Sequence, residues 1–176
     1  MQKNEARWLA TGLLILGGLL RFVQHLNFAP VGALSLFAGA RLRGWKAYAL
    51  PLALMAITDP FLGGFSATTP LIYASFALNV WIGSRLRDSE SPVMIGGAAI
   101  AGGVQFFLLT NLPWFCASCG YPAGFSGILA SYAAGVPFYW RTLASDLFYT
   151  GVFFGLHAWL SRTVVRSERV HAIQAA

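Results

Sequence analysis

Residues 91–140 read SPVMIGGAAIAGGVQFFLLTNLPWFCASCGYPAGFSGILASYAAGVPFYW, fifty consecutive positions without one Asp, Glu, Lys or Arg. A helix that crosses a bilayer needs about 20 predominantly apolar residues, so this stretch alone has room for two crossings. Pro60–Ser84 adds a further twenty-five uncharged positions. Over the whole chain of 176 residues, 57% are hydrophobic and 10% are charged. Soluble domains carry about 25% charged residues, and so few charges cannot cover a water-facing surface. The sequence therefore predicts an all-α integral membrane bundle of about six transmembrane helices, forming one domain over residues 1–176.

Six apolar segments carry that expectation: Trp8–Val23, Phe28–Ala40, Ala47–Leu62, Pro70–Ser84, Val93–Leu109 and Leu143–Ser161. Lys3 and Arg7 precede the first, as in a signal peptide, but Arg21-Phe-Val-Gln-His follows it where a small-residue cleavage site would stand. It reads as a retained helix. A seventh apolar stretch, Ala123–Tyr139, is interrupted by Gly124, Gly127, Gly135 and Pro137. Charge decides how it is counted. With six crossings and both termini on one side, that side holds ten Lys and Arg and the other only Arg21 and Arg141. A seventh crossing would make the split eight to four. Short cytoplasmic loops are enriched in Lys and Arg. The expectation is thus a bacterial inner-membrane protein with cytoplasmic termini, and with residues 123–139 forming a re-entrant or surface helix on the outer face.

The net charge of +6 does not imply nucleic acid. Its basic residues sit singly or in pairs at the ends of apolar runs, where they mark a membrane boundary rather than a clustered face.

From Asn27 onward the order of signals resembles a family of small uncharacterised bacterial membrane proteins. The likeness is carried by Asn27-Phe-Ala-Pro, Leu50-Pro51, Thr58-Asp59-Pro-Phe-Leu-Gly63, Phe106-Phe107, Asn111-Leu-Pro-Trp114, Tyr121-Pro122, Val136-Pro137-Phe138 and Asp146-Leu147. That family in turn is similar to the substrate-binding S components of energy-coupling-factor (ECF) vitamin transporters. The resemblance implies a six-helix bundle that binds a vitamin or metal at its outer face and hands it over beside a scaffold subunit driven by ATPases. S components often carry Ala-x-x-x-Ala on the first helix as a scaffold contact, and Ala6-Arg-Trp-Leu-Ala10 matches that spelling. Small residues four apart let helices approach closely.

Acids inside apolar segments are rare and expensive, and default to a functional reading. There are two, Asp59 and Asp146. For Asp59 the plain alternative is bonding to turn amides. For Asp146 it is stabilisation of a helix N-terminus, with Arg141 as a partner. The functional reading places both acids in an outer pocket with Asn27, Asn111, Trp114, Tyr121 and Tyr132, an apolar cavity with convergent polar groups. Cys116 and Cys119 fall on the expected outer, oxidising side, so a disulfide is favoured over a metal site, for which zinc wants four ligands. Gly124-Phe-Ser-Gly127 with His157 spells an intramembrane serine protease, but Leu156-His157-Ala-Trp159 is bulky where that dyad needs close approach. No enzyme is expected. Nor is there a nucleotide-binding loop, so energy for transport must come from a partner. The expected partners are lipid, a scaffold and ATPase, and a small organic ligand. The second function class is an accessory subunit of a respiratory or photosynthetic complex, with His25 or His157 as an axial ligand to haem or chlorophyll.

Overall fold

The charge-free run begins, in a computed structural model of the chain, with a helix whose first turn is capped by Ser91, its hydroxyl accepting from the Met94 amide at 3.5 Å. Proline follows at the first helical position, where its missing N–H is no loss. The structure describes residues 3–23, 28–87, 89–113 and 119–174. Within them six α-helices run in order: α1 (Lys3–Leu20), α2 (Val31–Arg41), α3 (Lys46–Thr58), α4 (Thr69–Ser84), α5 (Pro92–Thr110) and α6 (Phe125–Gln174). No β-strand occurs among the described residues. One helix there, α5, is long and apolar enough by itself to cross a membrane.

The shortest helix holds the centre. Nine of the eleven residues of α2 are buried, and α2 packs against each of the other five helices. Phe37 lies at its middle, fully enclosed, with the rings of Phe153 and Phe154 at 5.9 and 5.2 Å. Contact between α2 and α4 is backbone to backbone. A side chain on Gly39 would meet the Val80 carbonyl, and one on Gly83 would meet that of Leu36. Only glycine fits where two helix backbones touch.

The C-terminal half departs from expectation. No re-entrant or surface helix stands apart at 123–139, because α6 runs unbroken from Phe125 to Gln174 with Pro137 inside it. The break falls earlier, at Gly124, whose φ of +83° suits glycine alone and precedes the first turn. Gly135 has another use: its missing Cβ leaves room for the amide oxygen of Asn111 from α5. The wall of α5 supports this half of α6 throughout. Tyr132 donates its hydroxyl to the Leu108 carbonyl at 2.6 Å, and Ser131 donates to that of Asn111 at 2.7 Å. Phe107 packs against both Tyr132 and Tyr139. These contacts compensate for the hydrogen bond that a proline removes from a helix interior.

Candidate functional site

Asp59 stands at the point where α3 tightens into a 3-10 turn, Asp59–Phe61. Its main-chain carbonyl closes that turn, accepting from Leu62 and Gly64. Its carboxylate is used elsewhere, which corrects the reading of Asp59 as a bonder of turn amides. One oxygen takes Arg21 Nη2 at 2.7 Å and the other takes the Tyr73 hydroxyl at 2.6 Å. Arg21 follows directly after α1 and is itself buried. Its second terminal nitrogen donates to the Thr58 hydroxyl and to the Met55 carbonyl. The end of α1, the end of α3 and the face of α4 are thus joined by one charged group and its acceptors.

Asp146 lies deep in α6 rather than near a helix start, and Arg141 is exposed to the outside, so the expected pairing of these two does not form. Asp146 is only 5% exposed. Two glycines clear its space: a side chain on Gly32 of α2 would collide with the carboxylate, and one on Gly103 of α5 would lie 3.4 Å from it. The neighbouring Ser145 donates to the Ala29 carbonyl at 2.9 Å, fixing this part of α6 against the entry to α2.

Both acids line one cavity of about 300 Å³. Arg21, Tyr73 and Asn79 contribute its other interior polar groups, Ser66, Thr69 and Thr142 also line it, and Phe76, Phe106 and Ile72 its apolar wall. Asn79, 2% exposed, accepts from Gln105 Nε2 at 2.8 Å, and Gly102 opens the space that its amide fills. A cavity of about 150 Å³ admits a benzene ring, so this one has room for a ring with a polar arm. A second cavity of about 370 Å³ opens between α5 and α6 beside Arg41, Glu90 and Arg162. It is larger, but its Arg162–Glu90 pair, at 3.3 Å, is 77% and 67% exposed and therefore weakly held. Polar groups that are buried and aimed at one space are found in the smaller cavity.

The other expected pocket residues do not join the two acids there. Asn111, at the end of α5, donates its side-chain amide to the Phe107 carbonyl at 3.0 Å, and Tyr132 of α6 donates to the Leu108 carbonyl, so neither faces the cavity. Tyr121 is half-buried and lies off the cavity. Asn27 and Trp114 are outside the described residues, as are Cys116 and His25. Cys119 is disulfide-bonded. Ala10 is fully buried in the core, so it offers no surface to a scaffold, and the side chain of Ala6 is outside the described part. The His157 ring packs edge-on against Phe37 at 5.6 Å. No group of three His, Cys, Asp or Glu residues fit to hold a metal occurs among the described residues.

Reading the sequence missed Arg21, Tyr73, Asn79 and Gln105. Arg21 did leave a signal: it is one of two basic residues on the side expected to be outside, the side where Asp59 also falls. Tyr73, Asn79 and Gln105 leave none, since a single polar residue in an apolar helix says nothing of what it faces.

A helical bundle that encloses a small polar cavity beneath an apolar exterior is the class that fold and site define. Over residues 1–170 the chain matches the model of a family of unknown function, DUF6580, and it belongs to that family. No curated protein and no solved structure matches it.

Proposed function

We propose that this protein is a membrane-embedded binding subunit that captures a small organic molecule, such as a vitamin or its precursor, in the cavity shared by Asp59 and Asp146. The observation that carries the reading is that convergence: the two acids placed inside apolar segments, 87 positions apart in sequence, line one space. A buried ionisable group in an apolar bundle is costly to hold and is by default read as part of a ligand or ion site.

The distribution of side chains supports a bilayer as the solvent. Val93, Phe125, Trp8, Phe61 and Trp45 are between 73% and 83% exposed, while Arg21, Asn79, Ser75, Ser145 and Asp146 are buried. Six helices would then cross six times, with both termini cytoplasmic. A helix that does not reverse crosses once, so an unbroken α6 agrees with the ten-to-two charge split. At 11 residues, or about 16 Å, α2 is far shorter than a hydrocarbon core of about 30 Å. Ala29, just before it, lines the cavity, and non-helical chain at depth is tolerated beside a cavity.

As in the S components that the sequence resembles, uptake through this subunit would depend on a scaffold and an ATPase. Native mass spectrometry of the full chain, purified in mild detergent from cells grown in rich medium, tests the reading. A bound small molecule that is lost from an Asp59→Ala, Asp146→Ala double variant is the expected result. A clean apo mass, with no thermal shift from any of a panel of vitamins, would count decisively against it.

A further inference from the structure

The charges around the cavity do not balance. Among the described residues Arg21, Asp59 and Asp146 are its only charged ones, one cation against two carboxylates. Arg21 is committed to one oxygen of Asp59 at 2.7 Å, and the Tyr73 hydroxyl donates to the other. Asp146 has no such arrangement. Among the described residues its carboxylate accepts no hydrogen bond and meets no cation, although the residue is 95% buried against the 5% exposure that remains. The glycines at 32 and 103 surround it with bare backbone rather than donors. An isolated buried carboxylate is among the costliest groups a protein can hold: it takes up a proton when alone and carries its charge only when a cation is brought to it.

The geometry points to a small organic monocation as the ligand of this cavity, with Asp146 as its counter-ion; this rests on the binding function proposed above. Its charged end would be an ammonium, a guanidinium or a protonated ring nitrogen, each able to donate to a carboxylate. Its body would be a flat apolar or aromatic group lying along Phe76 and Phe106, whose rings stand 5.0 Å apart at one side of the cavity. A bare metal ion fits less well. Two carboxylates line the cavity and one is already bonded to arginine, so a hard cation would find one uncommitted carboxylate among neutral hydroxyl and amide oxygens. The Arg21–Asp59 pair then acts as a neutral, fixed wall, and a single residue sets the charge preference.

The test uses three probes of one shape: tryptamine as the cation, tryptophol as the neutral analogue and indole-3-propionate as the anion. Each is titrated into the detergent-purified full chain and into Asp146→Asn and Asp146→Ser, with folding verified by circular dichroism and gel filtration. The expected result is that the wild type binds tryptamine at least ten-fold tighter than tryptophol and excludes the propionate. In whichever variant folds, that preference falls below about two-fold while tryptophol binding is kept. Equal or tighter binding of the neutral or anionic probe would overturn the inference. So would a preference for tryptamine that survives loss of Asp146, or binding of none of the three. The binding function itself is judged separately, by the native mass measurement. A co-purified neutral or anionic molecule there would retain the function and remove the charge preference.

Discussion

Arg21 and Asp59 show what a polar residue does when water is not its neighbour. Their side chains are 11% and 13% exposed and 2.7 Å apart, and each has a second polar partner. Removing one member of such a pair leaves the other charge buried and costs about 3–5 kcal/mol, whereas replacing both by apolar groups is often neutral. Arg21→Met and Asp59→Leu are each expected to lower the melting temperature of the purified protein sharply, and the double variant to recover most of the loss. Additive losses would show that the pair does not join α1 to α3. Asp59 and Asp146 were legible as candidates because acids are rare in apolar segments. Their roles were not, because the groups that decide them lie on other helices: Arg21 is 38 positions from Asp59, and Gly32 is 114 from Asp146.

At the scale of elements, glycine and proline in the sequence marked boundaries only in part. Gly124 does begin a helix, but Gly135 and Pro137 lie inside one. A proline in a helix interior is about 3 kcal/mol less favourable than alanine. If α6 is continuous there, Pro137→Ala should stabilise the protein by up to about that amount, read as a higher melting temperature. A lower one would mean that the fold needs a bend at this point. Gly39 and Gly83 make the opposite prediction. Gly39→Ala places a methyl against the Val80 carbonyl, and a backbone carbonyl cannot rotate aside. Overpacking of this kind costs about 1–3 kcal/mol. Gly96→Ala and Gly151→Ala, which meet nothing within 4 Å, should leave stability unchanged or raise it. Equal effects at all four positions would show that α2 and α4 are not in backbone contact.

The whole molecule keeps an apolar core around Phe37 and Phe153, yet also exposes large apolar side chains such as Trp8, Trp45 and Phe61 while Arg21, Asn79 and Asp146 are buried. If six helices cross, the connection after α4 and the end of α6 share one face, and the loop between α3 and α4 lies on the other. Single cysteines at Ser89, Ser167 and Ser66, introduced in a chain lacking Cys116 and Cys119, should react accordingly with an impermeant thiol reagent in intact cells. Ser66→Cys is expected to be labelled, and the other two only after lysis. Opposite labelling of Ser89→Cys and Ser167→Cys would overturn the even number of crossings.

Composition and the spacing of charges were enough to predict an all-helical fold, and six helices in the expected order occur among the described residues, because a helix satisfies the backbone of an apolar run within that run. The same information located the two acids on which the candidate site depends. Three things were decided only in three dimensions. The Asn111 side chain is turned back onto the Phe107 carbonyl of its own helix and the Tyr132 hydroxyl is taken by the α5–α6 contact, Ala10 is turned inward, and Asp146 is left facing a cavity with no partner of its own among the described residues. Each depends on which helix lies opposite. That choice is made by backbone approach at glycines such as Gly39 and Gly83, and by the room Gly135 leaves for the Asn111 side chain, and sequence spacing along one helix carries no record of the helix across from it.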